Sequence, residues 1–223
     1  MSLINNNSNS NLRTITRIGG DKRIGPHIDK VISIIYGTLL GDSHLEKRVQ
    51  NVRISFQQEN SNVEYLFWLW KTLSLYGYCS NNEPKKLTRL GKGGKIRYYY
   101  KFHTWTYSSL NYLYDEWYQG GLYKRVPKNI EKNLTPLALA CWIMDDGSKC
   151  NNALKLSTNA FLFEDIKILS EALLSRYDIK SAIHKSGVEN QWVLYVKVES
   201  MPKLREIVKD HMVESMNYKL GIY

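Results

Sequence analysis

The amino-acid sequence predicts an α+β protein in which a unit of helix, hairpin, helix, hairpin and helix occurs twice in tandem. Two observations carry this prediction. Two apolar helical segments each end in an aspartate, which is Asp42 in the first segment and Asp146 in the second. A similar series of amphipathic segments then follows each aspartate, so the pattern repeats after about 100 residues. The two halves are therefore expected to form one pseudo-symmetric body.

In the first half, the apolar helix runs from Ile28 to Leu40 and ends in Gly41-Asp42-Ser43. Apolar and polar residues alternate over residues 52–57, which is typical of a strand with one buried face. An amphipathic helix is expected over residues 62–76, and Ser61-x-x-Glu64 predicts a capping box at its start. The unit is completed by a second strand over residues 95–106 and a closing helix over residues 109–117.

The second half opens at Leu134-Thr135-Pro136, where Thr135 is expected to be the N-cap and Pro136 the first helical residue. This helix ends in Asp145-Asp146-Gly147. The segments after it match those of the first half in order: a strand over 153–158, a helix over 163–177, a strand over 191–198 and a closing helix over 202–212.

Glycine and proline interrupt the pattern between the halves, at Gly120-Gly121 and at Pro127. The first 12 residues are rich in Asn and Ser, which is typical of a disordered segment. We therefore divide the chain into a disordered or poorly ordered tail (1–27), an N-terminal repeat (28–119), a linker (120–133) and a C-terminal repeat (134–223).

The composition favours a polyanionic partner. Lys and Arg outnumber Asp and Glu by 31 to 21, which gives a formal net charge of +10. Basic surfaces gain affinity for nucleic acids by neutralising phosphates. The apolar runs are too short to span a bilayer, so no membrane partner is expected. The three cysteines form no CxxC pair, which argues against a zinc site and favours a reducing compartment.

Small residues on the two apolar helices predict that these helices pack against each other. Gly37 and Gly41 are four positions apart in the first helix, and Ala138 and Ala140 lie in the second. Parallel packing would bring the two C-terminal ends, and with them both aspartates, together. Carboxylates crowded at helix C-termini repel each other and the helix dipoles, and a divalent cation would relieve that repulsion.

Residues Ile35-Tyr-Gly-Thr-Leu-Leu-Gly-Asp-Ser43 and Leu139-Ala-Cys-Trp-Ile-Met-Asp-Asp-Gly147 resemble the two signature helices of single-chain LAGLIDADG homing endonucleases. The nearest resemblance is to the intron-encoded mitochondrial enzymes of yeast type, and it covers residues 28–223. It implies an αββαββα unit used twice, with the signature helices paired at a pseudo-twofold interface. Two four-stranded antiparallel sheets would form a saddle over the DNA major groove. Cys141 departs from the family pattern, because a smaller residue is common at its position.

The resemblance also implies roles for individual residues. Asp42 and Asp146 would bind Mg²⁺, with Mn²⁺ as a substitute, and the backbone carbonyls of Gly41 and Asp145 would assist. Lys124 and Lys219, each preceded by Tyr, match the basic residue that the family places beside each active centre. Asn60 and Asn159 match a water-orienting position, for which Glu59 is an equally good alignment in the first half.

A sheet that lies in the major groove needs long polar side chains at alternate positions. Residues 85–97 form a glycine-containing basic segment, which we interpret as a phosphate-gripping hairpin or loop. Alternation alone leaves the face of each residue open by a slip of one position. The candidate DNA-binding residues are Arg48, Arg53, Ser55, Gln57, Lys85, Lys86, Arg89, Lys92, Lys95, Arg97 and Lys101 in the first half, and Lys149, Lys155, Ser157, Lys185, Gln191 and Lys197 in the second.

The resemblance implies a monomeric, Mg²⁺-dependent endonuclease that cuts each strand of a long, specific double-stranded DNA site once, by means of a metal-activated water. An intron RNA maturase, which would use the same fold to bind its own intron RNA, is the alternative, and a DNA-binding regulator on the same scaffold is a third possibility. The family likeness places the protein in the mitochondrial matrix or another organelle.

Overall fold

The computed structural model describes residues 18–222 and contains the predicted series of helices and strands twice. The first series consists of α1 (Asp29–Leu40), β1 (His44–Arg48), β2 (Asn51–Glu59), α2 (Val63–Leu75), β3 (Lys86–Leu90), β4 (Ile96–His103) and α3 (Asn111–Tyr118). A short helix, α4 (Ile130–Asn133), precedes the second series. That series consists of α5 (Pro136–Asp146), β5 (Gly147–Cys150), β6 (Ala153–Leu156), α6 (Phe163–Tyr177), β7 (Ser181–Lys185), β8 (Trp192–Val196) and α7 (Met201–Val208).

Each series forms one four-stranded antiparallel sheet with the same strand order. The order is β1-β2-β4-β3 in the first sheet and β5-β6-β8-β7 in the second. Both sheets turn one side toward the core, where Ile54 and Phe56 of β2 and Leu154 and Leu156 of β6 are buried. The predicted α+β class, with two αββαββα repeats and two antiparallel sheets, is confirmed.

Helices α1 and α5 form the centre of the molecule and are buried over nearly their whole circumference. They approach closely at Gly37, where a Cβ atom would lie only 2.2 Å from the Ala138 carbonyl oxygen. The same Cβ would lie 2.7 Å from the Cβ of Cys141, so the glycine makes room for the larger cysteine. The predicted close packing is thus confirmed, and Cys141 is accommodated. Neither these helices nor any other in the described part of the chain is both long and apolar enough to cross a membrane.

Of the two helix N-termini predicted from the sequence, the structure confirms one and contradicts the other. Thr135 is the N-cap of α5, and its Oγ1 accepts a hydrogen bond of 3.1 Å from the backbone N–H of Ala138. The capping box predicted at Ser61 is wrong. Residues 60–62 form a 3-10 turn, so the N-cap of α2 is Asn62, and the Ser61 hydroxyl donates to the Asn62 side chain instead.

The segment before α1 differs from the predicted tail. Residues 1–17 lie outside the described residues, but residues 18–27 pack on the first repeat and include a 3-10 turn, Gly20–Lys22. Arg23 donates a hydrogen bond of 3.0 Å to the carbonyl of Thr106, and its guanidinium lies 5.4 Å from the centre of the Trp105 ring. The two His27 ring nitrogens contact the hydroxyls of Tyr78 and Ser109, each at 2.9 Å. These contacts correct the expectation of disorder for residues 18–27.

The interval predicted as a linker is partly structured. Its central feature is an ion pair in which Arg125 donates two hydrogen bonds, of 2.7 and 3.1 Å, to the buried carboxylate of Asp165 on α6. Ile130 of α4 is fully buried. Leu122 and Tyr123, in contrast, are 88% and 81% exposed, so only a short part of the interval is free of packing.

Candidate active site

The C-terminal ends of α1 and α5 meet, which places the signature aspartates in one region. The backbone N–H of Asp42 donates a hydrogen bond of 3.3 Å to the carboxylate of Asp145. A Cβ atom on Gly41 would lie 2.3 Å from the Cβ of Asp145, so the absence of a side chain at Gly41 admits the neighbouring carboxylate. Three carboxylates therefore meet at the helix ends. Asp145 and Asp146 come from α5, and Asp42 follows α1.

Gln58 is a functional candidate that the sequence analysis missed. Its Nε2 donates hydrogen bonds of 2.8 Å to both Asp42 Oδ2 and Asp145 Oδ1. Asn62 donates to Gln58 Oε1 at 3.1 Å and so fixes the orientation of the amide. Gln58 occupies a buried position on the core side of β2, in line with Ile54 and Phe56. In the sequence, Gln58 is a polar residue at the next position of the alternation that places Ile54 and Phe56 in the core, and this pattern could have indicated its role.

The structure does not bring the predicted water-orienting residues to the aspartates. Asn60 is exposed in the 3-10 turn after β2, and the Asn159 amide donates to Gln191 Oε1 at 3.1 Å. The alternative, Glu59, is ion-paired with Arg89 and Arg97. Within residues 18–222, no hydrogen bond joins any of these side chains to Asp42 or Asp146. The placement favours Gln58 for this role.

The two predicted lysines cap the two central helices in equivalent ways. The Nζ of Lys124 donates to three carbonyls at the end of α1, which belong to Leu39 (2.8 Å), Gly41 (2.7 Å) and Ser43 (3.0 Å). The Nζ of Lys219 donates to the carbonyls of Met144 and Asp145 at the end of α5, the latter at 2.9 Å. An ammonium group at a helix C-terminus stabilises the negative end of the helix dipole. Each lysine therefore stands beside one pair of carbonyl and carboxylate groups, where it could also reach a bound anion.

The carboxylates at the helix ends share a poorly hydrated space. Burial, together with the negative charge of Asp42, raises the pKa of Asp146 to about 7, although both lysines oppose the shift. Asp42 is partly open to solvent, yet the surrounding protein removes enough of its hydration to raise its pKa. Burial and the charges of Asp42 and Asp146 also raise the pKa of Asp145. Desolvation is thus the largest cause of all three raised pKa values, and it outweighs the opposing charge of the nearby lysines.

Burial acts on the lysines in the opposite sense. It lowers the pKa of Lys124 and of Lys219, while the nearby carboxylates of residues 42, 145 and 146 raise both values. Lys124 donates three hydrogen bonds, which requires all three protons of the ammonium form, so in this arrangement it acts as a cationic donor.

These oxygen donors fit a hard divalent cation in part. Within residues 18–222, no three His, Cys, Asp or Glu side chains come together as a complete metal site. The Asp42 and Asp146 carboxylates are ligands of the kind that Mg²⁺ prefers, and phosphate and water oxygens would have to complete the coordination. The carbonyls of Gly41 and Asp145 already accept hydrogen bonds from lysines. A cation on those carbonyls would lie next to an ammonium group, so the geometry favours the carboxylates as ligands.

The strand register settles which predicted DNA-binding residues share a face. In the first sheet, Arg53 pairs with Glu46, Ser55 with His103, and Gln57 with Lys101, on the side away from the core. We call this side the open face. Lys85, Lys92 and Lys95 lie beside or between β3 and β4 and are exposed. The predicted residues on the strands of this open face that reach its surface are Arg48, Arg53, Gln57, Arg89, Arg97 and Lys101. Ser55 lies on the same side of β2 but is fully buried beneath its neighbours, so the prediction that it contacts DNA is wrong.

The open face of the second sheet carries fewer charges. Lys155 pairs with Ser148 and with Tyr195, and all three lie on this face. The strand alternation places Ser157 and Lys197 on the same side, next to the ends of β6 and β8. Gln191 precedes β8 and is bound to Asn159.

Three predicted lysines lie on the opposite sides of the sheets. Lys86 stacks 4.6 Å above the Tyr98 ring, and Lys185 lies 5.8 Å from the centre of the Trp192 ring. Lys149 shares the core side of β5 and β6 with Leu154, and its Cε lies beside Gly221. Sequence alternation could not make this distinction, because a slip of one residue exchanges the two faces.

The chain is similar to known proteins over most of its length. It is 48% identical over 221 residues to "Cytochrome b mRNA maturase bI2" of Saccharomyces cerevisiae, which covers 96% of this chain and 52% of that protein. It is 45% identical to the protein of the same name from Debaryomyces hansenii, over 88% of this chain and 76% of the relative. An "Intron-encoded endonuclease ai4" of Dictyostelium discoideum is 34% identical over 66% of this chain and 94% of that protein. The chain thus spans about half the length of the Saccharomyces relative.

The fold is that of a solved homing endonuclease. The structure described as "The homing endonuclease I-WcaI bound to its DNA recognition sequence" superposes with a TM-score of 0.77 at 21% identity, over 86% of each chain. A model of the LAGLIDADG DNA endonuclease family matches residues 32–204, which include most of α1, all of α5 and both sheets. The chain therefore belongs to the LAGLIDADG DNA endonuclease family.

Proposed function

We propose that this protein is a site-specific homing endonuclease that hydrolyses one phosphodiester in each strand of a double-stranded DNA target. The observation that carries the proposal is the meeting of two helix ends, each with an aspartate and a capping lysine, between two sheets whose open faces carry basic residues. A pair of equivalent centres suits the two strands of one duplex. The net charge of +10 supports binding to a polyanion.

In this proposal Asp42 and Asp146 hold divalent cations, Mg²⁺ with Mn²⁺ as a substitute, which when bound make water a stronger nucleophile and neutralise phosphate charge. Gln58 holds the Asp42 carboxylate in place and can orient a water molecule there. Lys124 and Lys219 lie close enough to donate hydrogen bonds to the scissile phosphates. The water oxygen would then bond to phosphorus in line and release its proton to solvent. The opposite P–O bond would break, and the leaving oxygen would keep the electron pair and take up a proton from solvent. The solved relatives include structures described as I-DmoI in complex with DNA and Mn, which agrees with a divalent cation.

The proposal is tested by cleavage of a plasmid that carries the DNA around the insertion site of the coding sequence, in the presence of Mg²⁺. We expect the wild-type protein to make a double-strand break, and a chelator to prevent it. Asp42→Asn and Asp146→Asn should each lower the rate by at least about 1,000-fold, because each removes a proposed metal ligand. Asp115→Asn, at an exposed position of α3, is the matched control and should cut normally. Full cleavage by Asp42→Asn would refute the proposed role of the site.

An RNA maturase activity is the second candidate, and the names of the Saccharomyces and Debaryomyces relatives favour it. In this reading the protein binds the RNA of its own intron and supports splicing, with or without DNA cleavage. A splicing assay with the Asp42→Asn/Asp146→Asn double variant separates the two activities. Retained splicing would establish a binding function that does not need the carboxylates, whereas failure of the wild-type protein to support splicing would exclude it.

The state and location of the protein follow from the same proposal. A chain that contains both repeats needs no second copy to form both centres, so we expect a monomer. We also expect it to act in the mitochondrial matrix or in another organelle, in line with the cytochrome b mRNA in the relatives' names.

A further inference from the structure

Glu46 is an acidic residue at the centre of a surface that we expect to meet phosphate groups. It lies on β1, on the open face of the first sheet, opposite Arg53 of β2. Only 18% of its side chain is exposed. A lone carboxylate on such a surface would weaken DNA binding by repulsion, so its presence calls for a specific role.

Basic side chains hold one oxygen of Glu46 firmly. Arg53 donates two hydrogen bonds to Oε2, from Nε at 2.9 Å and from a terminal nitrogen at 2.6 Å. Arg48 donates a third to the same oxygen, at 2.9 Å. The carboxylate therefore has a fixed position and orientation before any ligand arrives.

The second oxygen of Glu46 has only longer contacts. His44 Nε2 lies 3.4 Å from Oε1, and the side-chain nitrogens of Lys101 and His103 each lie 3.9 Å from it. Burial alone would raise the pKa of Glu46, but the hydrogen bonds and charge of Arg53 prevail and lower it to about 2. The group is thus ionised at any working pH and can only accept hydrogen bonds. Among the described residues, none contacts Oε1 as closely as Arg53 and Arg48 contact Oε2, so Oε1 is the oxygen able to accept a further hydrogen bond.

The fold itself does not require a carboxylate at this position. The pair Glu46–Arg53 of β1 and β2 corresponds to the pair Cys150–Ala153 of β5 and β6. The second sheet has the same strand order without an acidic residue at that place. Glu46 is therefore a property of the first repeat alone, as expected of a residue that reads one half of an asymmetric target.

We propose that Glu46 determines base specificity by accepting, through Oε1, a hydrogen bond from the N4 amino group of a cytosine in the major groove. Amino groups are the donors that bases present in that groove, on cytosine and on adenine. Adenine places the N7 acceptor next to its amino group, and that lone pair would repel a carboxylate. Cytosine has no such acceptor, so a fixed carboxylate selects it. Arg53 is a positioning residue in this scheme.

This inference rests on the proposed function, and its test keeps the two apart. A target is first obtained from a randomised DNA library by cleavage with the wild-type protein. Binding and cleavage are then measured on the set of all single base-pair substitutions of that target. Failure of the wild-type protein to select any sequence would refute the proposed function, and the inference with it.

The substitution Glu46→Gln tests the inference itself. We expect the wild-type protein to prefer cytosine by about 5- to 100-fold at one base pair in the half-site of the first repeat. Glu46→Gln should shift the preference at that pair to adenine, because a glutamine amide can pair with both N6 and N7. Glu46→Ala should remove the preference, and Glu171→Gln, at an exposed position of α6 away from the open faces, should leave it unchanged.

A different outcome would overturn the inference. If Glu46→Gln weakens binding to all substituted targets equally and leaves the profile of base preferences as in the wild type, Glu46 serves only to hold Arg53. Circular dichroism and thermal unfolding of each variant confirm that the compared proteins are folded, and Glu46→Ala provides a second measurement should Glu46→Gln be unstable.

Discussion

Gln58 and Thr158 occupy equivalent places in the two repeats. Each lies two residues after a core residue of the inner strand, which is Phe56 in β2 and Leu156 in β6. Only Gln58 reaches the carboxylates. The Thr158 hydroxyl donates instead to the carbonyl of Trp192, at 3.0 Å. Gly41 and Asp145 are a second unequal pair, because only α5 contributes a carboxylate there. At the level of single residues the two centres are thus chemically different, although the backbone repeats.

This difference predicts unequal cutting of the two strands. Gln58→Ala removes the amide that holds Asp42, so we expect the strand cut at that centre to be cleaved about 10- to 100-fold more slowly. Nicked plasmid should accumulate, as a time course on supercoiled DNA with strand-specific labels would show. Thr158→Ala is the matched control and should leave the ratio of nicked to linear product close to that of the wild type. Equal slowing of both strands by Gln58→Ala would contradict the prediction.

His103 predicts a pH dependence of stability. Burial, with the nearby charge of Arg53, lowers its pKa from 6.5 to about 4. Between pH 6.5 and 4, the imidazole of His103 is therefore protonated in the unfolded chain but not in the folded chain. The contribution of His103 to the free energy of unfolding should be largest above pH 6.5 and should decrease by up to about 3 kcal/mol as the pH falls toward 4. The raised pKa of Asp146 gives a change of the opposite sign below pH 7, so the His103 effect is read as the difference between wild type and variant.

Urea unfolding at a series of pH values measures this effect. His103→Gln should lose this part of the pH dependence, and His184→Gln, at an exposed position of β7, is the control for loss of a histidine. An unchanged pH profile in His103→Gln would show that another group is responsible.

Residue roles were the least predictable level from the sequence. Four positions could be predicted from the repeat. Asp42 and Asp146 each stand at the end of an apolar helix, and Lys124 and Lys219 each follow a tyrosine at equivalent places. Gln58 could not be identified from its distance along the chain after Asp42, because the face of β2 on which a side chain lies decides whether it reaches the aspartates. The faces of Lys86, Lys149 and Lys185 could not be settled for the same reason.

Among the elements, the pair of helices α1 and α5 dominates the fold. Its packing depends on Gly37, where any side chain would overlap with the backbone of α5. We expect Gly37→Ala to destabilise the protein by several kcal/mol, because neither helix backbone can move without disturbing a fully buried core. Thermal or urea unfolding measures the loss. Gly121→Ala, at an exposed position of the linker, is the control and should have little effect. Wild-type stability in Gly37→Ala would contradict the close approach.

The elements themselves were largely predictable. Apolar circumference and small residues specified the central helices, and Thr135-Pro136 specified the start of α5. The capping box at Ser61 failed because a 3-10 turn competes with the extended N-cap conformation. The packing of residues 18–27 could not be predicted from the sequence, because it depends on long-range contacts of Arg23 and His27 with the first repeat.

For the whole molecule, the buried side chains form one continuous hydrophobic cluster that includes both repeats. Most of α1 and α5 would be exposed in an isolated half. We therefore expect a single cooperative unfolding transition, and we expect fragments 28–119 and 134–223 to be largely unfolded when expressed alone. Far-UV circular dichroism in urea measures both.

The control for this prediction uses the exposed part of the linker. A protease site inserted between Leu122 and Tyr123, which are both highly exposed, allows the backbone to be cut after folding. The cut protein should keep its structure, since the contact between the repeats remains. Independent folding of either fragment would show that the repeats are separate domains.

The close fit between α1 and α5 also limits how the two halves can associate. Gly37 faces Cys141, and Gly41 faces Asp145, so the smaller member of each pair belongs to the same helix. Two copies of α5 placed together would oppose cysteine to cysteine and carboxylate to carboxylate. Two copies of α1 would leave gaps where those side chains now pack. Homotypic pairing is thus unfavourable in both cases, so we expect neither half alone to form a symmetric dimer through its central helix.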